Sequence, residues 1–238
     1  NGIKIFAPTG EKLSADIELL IEKYIDKPED DLPLIPNDGL GKLIIAKDQM
    51  NEYLDFLASK ADGDYSNLHV LIDCAHGSSS VTAKKLFIDR LHLNADILND
   101  SFNGTNINDN CGSTHINFLS KKIKEGNYDL GLAFDGDADR LILVDHKGNV
   151  VDGDKTMYLN AMYMKEKGLL TDNKIVITVM SNLGLKKALA KQGIDYEETS
   201  VGDKYVQAKL KEKSLSIGGE QSGHIIFNDD LNTGDGML

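Results

Sequence analysis

The chain has 238 residues, 41% of them hydrophobic, and a formal net charge of −12. That length allows two domains or one large one, and that apolar content belongs to a folded chain rather than a disordered one. The acidic balance without a basic run argues against binding a nucleic-acid backbone, no apolar stretch nears the roughly 20 residues of a membrane span, and the two cysteines, Cys74 and Cys111, form no CxxC pair, so neither zinc nor a disulfide scaffold is expected.

In chain order, Leu13 to Tyr24 carries apolar residues at helical spacing, with Ser14 or Asp16 as candidate caps. Three of the four prolines lie between Pro28 and Pro36, which marks residues 26 to 42 as a connection. A short strand is expected from Lys42 to Ala46 and a helix from Asn51 to Lys60. An α/β pattern then begins. His69 to Asp73 reads as a strand, Ala75 to Ser80 as a turn, and Val81 to Leu91 as a helix. Residues 99 to 114 are polar and Asn-rich and read as a loop, and His115 to Lys124 as a helix. Tyr128 to Phe134 and Leu141 to Val144 read as strands around an acidic turn, and His146 to Asn149 as a turn into Val150 and Val151.

At Asp152-Gly153-Asp154 the pattern resets. Helices are expected over Lys155 to Glu166, Leu183 to Gln192 and Lys204 to Lys213. Strands are expected over Lys174 to Val179, over Tyr196 to Thr199, and on both sides of Gly218 to Gly223. Strand and helix alternate twice, about 100 residues each time, as in two consecutive mixed-sheet α/β domains. Without a close sequence repeat, any kinship between them is one of architecture. The connection at 26 to 42 and the reset at 152 divide the chain into 1–42, 43–150 and 151–238. The first residue is Asn1, not Met, and Thr233 to Leu238 reads as a loop running into a further element, so both ends read as cuts in a longer protein. No signal peptide is visible, and a reducing, cytoplasmic setting is the default.

The run Asp135-Gly136-Asp137-Ala138-Asp139-Arg140 carries the most chemistry. Three like charges held close together need a neutralising cation, and oxygen-only ligands favour a hard one such as Mg²⁺. The plain alternative is a solvated acidic turn. Gly218 to His224 places Glu220, Ser222 and His224 among small residues, where a carboxylate and a hydroxyl can bond adjacent sugar hydroxyls. Thr199 to Lys204 is a turn at a helix start, where the backbone around Gly202 and the Lys204 ammonium can meet an anion. Asn1-Gly2-Ile3-Lys4 is the fourth segment of interest.

Together these segments resemble the α-D-phosphohexomutase family over nearly the whole chain. Asp135 to Arg140 is similar to its metal loop and Glu220 to His224 to its sugar loop. Gln221, Val179 to Gly184, Val201 to Val206 and Asn106 to Ser113 resemble the branch acting on glucosamine phosphates. His76 departs from the pattern, which usually has Asn there, and reads as a turn or surface histidine.

The resemblance implies an intramolecular phosphotransferase. Glucosamine 6-phosphate and glucosamine 1-phosphate would interconvert through a phosphoserine and a bisphosphorylated sugar, with mannose or glucose phosphate as alternative substrates. Mg²⁺ would sit on Asp135, Asp137 and Asp139 and offset phosphate charge. Arg140 would bind phosphate oxygens or orient the Asp cluster. Lys4 and His224 would move protons, Glu220 and Ser222 would hold the sugar, and Lys204 would hold phosphate or simply face solvent. The family's phosphoserine and its phosphate-gripping fourth domain would lie outside this chain, which is therefore expected to bind without turning over. A phosphatase using an Asp nucleophile is a further alternative, although such chemistry places its Asp at the end of a first strand. No nucleic acid or membrane partner is implied.

Overall fold

The computed structural model describes residues 5–29, 35–36, 39–45 and 48–238, which group into two compact units, 1–51 and 52–238. In the first unit a Phe6–Lys12 bridge precedes helix α1, Ala15–Ile25. Ser14 occupies its N-cap position, but its side chain makes no capping bond. The expected strand at Lys42 to Ala46 is not there: residues 42–45 lie outside any strand, and Ala46 falls outside the described residues. A β-prone run forms a strand only against a partner, and among the described residues this run has none.

The second unit opens with the bulk of α2, Gln49–Lys60, which buries Leu54 and Leu57. A five-stranded sheet follows in the order β2-β1-β3-β4-β5. Its strands are β1 (His69–Asp73), β2 (Asn94–Leu98), β3 (Leu130–Phe134), β4 (Leu141–Asp145) and β5 (Val150–Val151). β1 is parallel to β2 and β3, while β4 runs antiparallel to β3 and β5. The central strands β1 and β3 are buried along four of their five residues, hence their unbroken apolar runs. Residues alternate across the sheet. Val70 and Ile72 face a core with Leu54, Leu86, Phe87 and Phe134, whereas Leu71 faces Leu119 and Ile123 of α3, Ile116–Glu125.

Two elements depart from expectation. β2 was not foreseen, because Asn94 and Asp96 interrupt its apolar residues, which only an edge strand tolerates. The helix expected over Val81 to Leu91 is a 3₁₀ turn, Ser78–Val81, followed by a wide-turn segment, Lys84–Ile88. There the amide N–H groups of Asp89 and Leu91 reach five residues back, to the carbonyls of Lys84 (3.1 Å) and Leu86 (2.9 Å). The added residue per turn lets the adjacent Leu86 and Phe87 both enter the core.

The second sheet is four-stranded in the order β7-β6-β8-β9. Its strands are β6 (Lys174–Thr178), β7 (Asp195–Thr199), β8 (Ile217–Gly219) and β9 (Ile225–Phe227). β6 is parallel to β7 and β8, and β9 returns antiparallel to β8. Helices α4 (Gly153–Glu166) and α5 (Leu183–Lys191) cover Ile175 and Ile177, while α6 (Asp203–Lys213) covers Val176. The fold is thus two mixed-sheet α/β layers of the same plan. In each, two strands run parallel to a central strand and a hairpin turns back from one of them. The β3–β4 hairpin of the first is the counterpart of the β8–β9 hairpin of the second.

Both cysteines are buried and free, and burial pushes Cys74 up to about 12 and Cys111 up to about 11. Among the described residues, no helix is long and apolar enough to cross a membrane.

The segment after β9 crosses back to the first sheet. Met237 is 8% exposed and joins the core beside Phe134, and the Tyr53 hydroxyl donates to Asp235 at 2.7 Å. Met237→Ala is expected to lower stability by about 2 kcal/mol, the low end for truncating a buried methionine, read as a fall in the urea midpoint.

Candidate functional site

The acidic turn joins β3 to β4, at the carboxyl end of the parallel strands, where open α/β sheets present ligand sites. The apolar run before it drives β3 into the core and carries Asp135 in with it, leaving that residue 9% exposed. Asp137 is exposed and Asp139 half-buried. One carboxylate oxygen from each of Asp135, Asp137 and Asp139 lies within 4.8 Å of the others. Gly136 leaves room for its neighbours, since a Cβ there would come within 2.6 Å of Ile107 and 3.0 Å of the Asn108 amide nitrogen. Ala138 takes a left-handed backbone (φ 59°) that folds the turn.

Burial pushes the Asp135 carboxyl up to about 6, with the charges of Asp139 and Asp137 adding to the effect. The turn offers partial compensation. The Arg140 amide N–H donates to Asp135 Oδ1 at 3.2 Å. The guanidinium Nε stands 3.9 Å from Asp135 Oδ2 and 3.8 Å from Asp139 Oδ1. Three oxygen ligands on one turn, one of them held where its own charge is disfavoured, suit a hard divalent cation.

The β8–β9 hairpin stands beside this turn. The Leu141 amide N–H donates to the Gly223 carbonyl at 3.1 Å, tying the first residue of β4 to the second hairpin. Gly223 has φ 92°, and a Cβ there would strike the Leu141 carbonyl. The Gly153 amide N–H donates to the Gln221 carbonyl at 3.0 Å, so the start of α4 props the same hairpin. Glu220 is buried, and its Oε1 accepts the Gly202 amide N–H at 2.8 Å. That bond joins the Thr199 to Lys204 turn to the hairpin. Ser222 is exposed at the hairpin tip.

His224 is 2% exposed and links the two loops. Its Nδ1 lies 3.6 Å from Asp139 Oδ2 and its Nε2 lies 3.8 Å from Asp203 Oδ2. Gly234 passes so close that a Cβ there would press on the imidazole. Lys204 is exposed, with its ammonium 5.1 Å above the Tyr205 ring. Lys4 falls outside the described residues.

The structure therefore brings Asp135, Asp137, Asp139, Arg140, Gly202, Glu220 and His224 into one bonded neighbourhood. The Lys204 side chain rests on an aromatic ring. Sequence reasoning missed Asp203 as the second carboxylate beside His224. It also missed Gly236, whose amide N–H donates to the Ala138 carbonyl at 2.9 Å and backs the acidic turn. Only the Gly-Asp-Gly run at 234–236, a sign of close backbone approach, pointed to the latter.

Comparison with known proteins gives consistent matches. Residues 51–148 match the family description "Phosphoglucomutase/phosphomannomutase, alpha/beta/alpha domain II", and residues 152–238 match domain III of that family. A curated phosphoglucosamine mutase of Bacillus licheniformis is 51% identical over 240 residues, covering 100% of this chain and 53% of the relative. The chain thus spans about half the length of the curated relatives it matches. A putative phosphomannomutase from Thermus thermophilus superposes with a TM-score of 0.76 at 18% identity, over 96% of this chain and 52% of that one. An N-acetylphosphoglucosamine mutase of Aspergillus fumigatus, in complex with glucose 1,6-bisphosphate, superposes with a TM-score of 0.56 at 20% identity, over 77% of this chain and 37% of that one.

The raised Asp135 carboxyl has a stability consequence. A carboxyl whose pKa rises on folding holds its proton more tightly when folded. The stability from that term is complete below the ordinary carboxylate range and is lost as pH rises through about 6. Asp135→Asn is therefore expected to stabilise the metal-free protein near neutral pH by an amount on the order of 1–3 kcal/mol, seen as a higher Tm, and to leave its stability unchanged below about pH 4. Thermal melts across that range check it.

Proposed function

Since this chain belongs to the phosphoglucomutase/phosphomannomutase family, the α-D-phosphohexomutases, we propose that it carries the metal hairpin and sugar hairpin of a phosphoglucosamine mutase, an isomerase interconverting glucosamine 6-phosphate and glucosamine 1-phosphate. The observation carrying this reading is the Leu141–Gly223 bond of 3.1 Å, which sets the three-Asp turn beside the Glu220 hairpin. The 51% identity to a curated phosphoglucosamine mutase supports the choice of sugar. Turnover is assigned to a chain of the relatives' full length. The divisions 43–150 and 151–238 are its metal and sugar domains in this reading, and the reducing interior of the cell suits its two buried thiols.

Asp135, Asp137 and Asp139 would hold Mg²⁺, which when bound supplies positive charge against the phosphoryl group. The remaining roles belong to the chain. Arg140, whose side chain is 46% exposed, offers a planar fork to phosphate oxygens. Glu220 accepts one bond from the Gly202 N–H and keeps acceptor capacity for sugar hydroxyls, beside the exposed Ser222 hydroxyl. Lys204, exposed and over the Tyr205 ring, would add a cation for phosphate. His224, between two carboxylates and nearly sealed from water, would exchange a proton with a sugar hydroxyl, and Lys4, matching the family's lysine near the phosphoserine, would serve as a second general acid or base. The phosphoryl group would pass from a phosphoserine of the longer protein to the sugar, giving a bisphosphate that returns its other phosphoryl group. The bisphosphate bound by the Aspergillus mutase supports that order of events.

The test is a mutase assay on the full-length protein with glucosamine, mannose and glucose phosphates in parallel. Glucosamine phosphate is expected to give the highest kcat/KM. Chelation is expected to abolish turnover and Mg²⁺ to restore it, and Asp137→Ala to lower kcat roughly a hundredfold or more. Metal-independent turnover, or a stronger preference for another sugar, would sink the reading.

A further inference from the structure

We propose that Asp73 is a positioning residue for the acidic hairpin, fixing the floor on which Asp135, Asp137 and Asp139 are arranged. The inference rests on reading that hairpin as a metal site and adds a residue that touches neither metal nor sugar.

Asp73 ends β1 and is 0% exposed. Its Oδ1 accepts the Ala75 amide N–H at 3.0 Å and the Asn99 side-chain amide at 2.9 Å, and its Oδ2 accepts the Gly112 amide N–H at 2.8 Å. The donors come from three segments: the turn after β1, the end of β2 and the loop before α3. A fully buried carboxylate is a poor way to finish a strand unless its bonds hold something in place.

Each of those segments bears on the hairpin. The Ser78 amide N–H donates to the Gly136 carbonyl at 2.9 Å, and a Cβ on Gly77 would strike that carbonyl. The Asn108 amide N–H donates to the Ala75 carbonyl at 2.9 Å, and Asn108 packs against Gly136. The His76 amide N–H donates to the Asn99 carbonyl at 2.6 Å, closing the floor across the end of β2. A Cβ on Gly112 would come within 2.6 Å of the Phe134 carbonyl, immediately before Asp135.

The floor also sits in an unfavourable backbone conformation. Ala75 (φ 53°), His76 (φ 51°), Asn99 (φ 53°) and Asn108 (φ 58°) are all left-handed. Residues other than glycine stay there only when their surroundings over-determine them. Asp73 grips two of the four directly, Ala75 through its amide and Asn99 through its side chain. Asp73→Asn preserves size and the Oδ1 acceptor but turns an NH₂ toward the Gly112 N–H, removing one grip and setting donor against donor.

The experiment compares wild type, Asp73→Asn and Leu119→Ala, the last truncating a buried leucine of α3 that packs in the Leu71 cluster. Mn²⁺ affinity is read by electron paramagnetic resonance, and amide hydrogen exchange is read on the metal-free chain. Asp73→Asn is expected to weaken Mn²⁺ binding about 10- to 100-fold. It is also expected to speed exchange at Ser78 and Arg140 while leaving β6 unchanged. Leu119→Ala is expected to lower Tm with little loss of Mn²⁺ affinity. Wild-type affinity and wild-type exchange at Ser78 and Arg140 in Asp73→Asn would overturn the proposal, as would an equal affinity loss in Leu119→Ala at equal Tm. If the unaltered chain binds no Mn²⁺, the metal reading fails, and the exchange rates alone decide the role of Asp73.

Discussion

Three carboxylates share one turn, one oxygen from each within 4.8 Å of the others, and the loops at that end of the first sheet are bonded around that crowding. Left in water, such charges separate. Here β3 anchors Asp135 in the core, and the antiparallel return of β4 leaves the turn no slack. Burial and the charges of Asp139 and Asp137 raise the energy of the ionised Asp135 carboxyl, which is the condition a cation would relieve in the proposed reading. Arg140 relieves only part of the charge, at distances near the outer limit of an ion pair.

The second sheet repeats the plan of the first with different chemistry at the hairpin. Glu220 and His224 occupy the turn where the first sheet has its Asp triad, and one backbone bond at Leu141 fastens the two turns together. A fold that places a hairpin at the carboxyl ends of parallel strands twice over sets two loops side by side, and in the proposed reading the residues in each decide which would bind cation and which hydroxyl groups.

Much of this was legible in the sequence. The Asp-x-Asp-x-Asp spacing announced the clustering of three carboxylates, and the apolar runs of β1, β3 and β6 announced buried parallel strands. The helices before β3 and after β6 were legible too, whereas the one expected after β1 is a 3₁₀ turn and a wide-turn segment. The edge strand β2 was not legible, since one covered face needs few apolar residues and Asp96 masks the pattern. Lys42 to Ala46 misled in the opposite direction, because β-propensity says nothing about whether a partner strand exists. Asp73 looked like an ordinary polar strand end. Its partners at 99 and 112 lie far along the chain, and no local pattern records a bond of that kind. His224 was visible as a candidate, but its second carboxylate, Asp203, was not, because that pairing spans two elements.

The return of Met237 to the first core bears on the order in which the chain matures. A ribosome releases β1 through β5 well before it releases residue 237. Until then the layer around Phe134 has a methionine-sized gap, and the Ala138 carbonyl lacks its Gly236 partner. The earlier-made sheet is therefore finished by the later-made one. The nascent acidic turn gains its Gly236 backbone support only when the second layer has emerged and folded over.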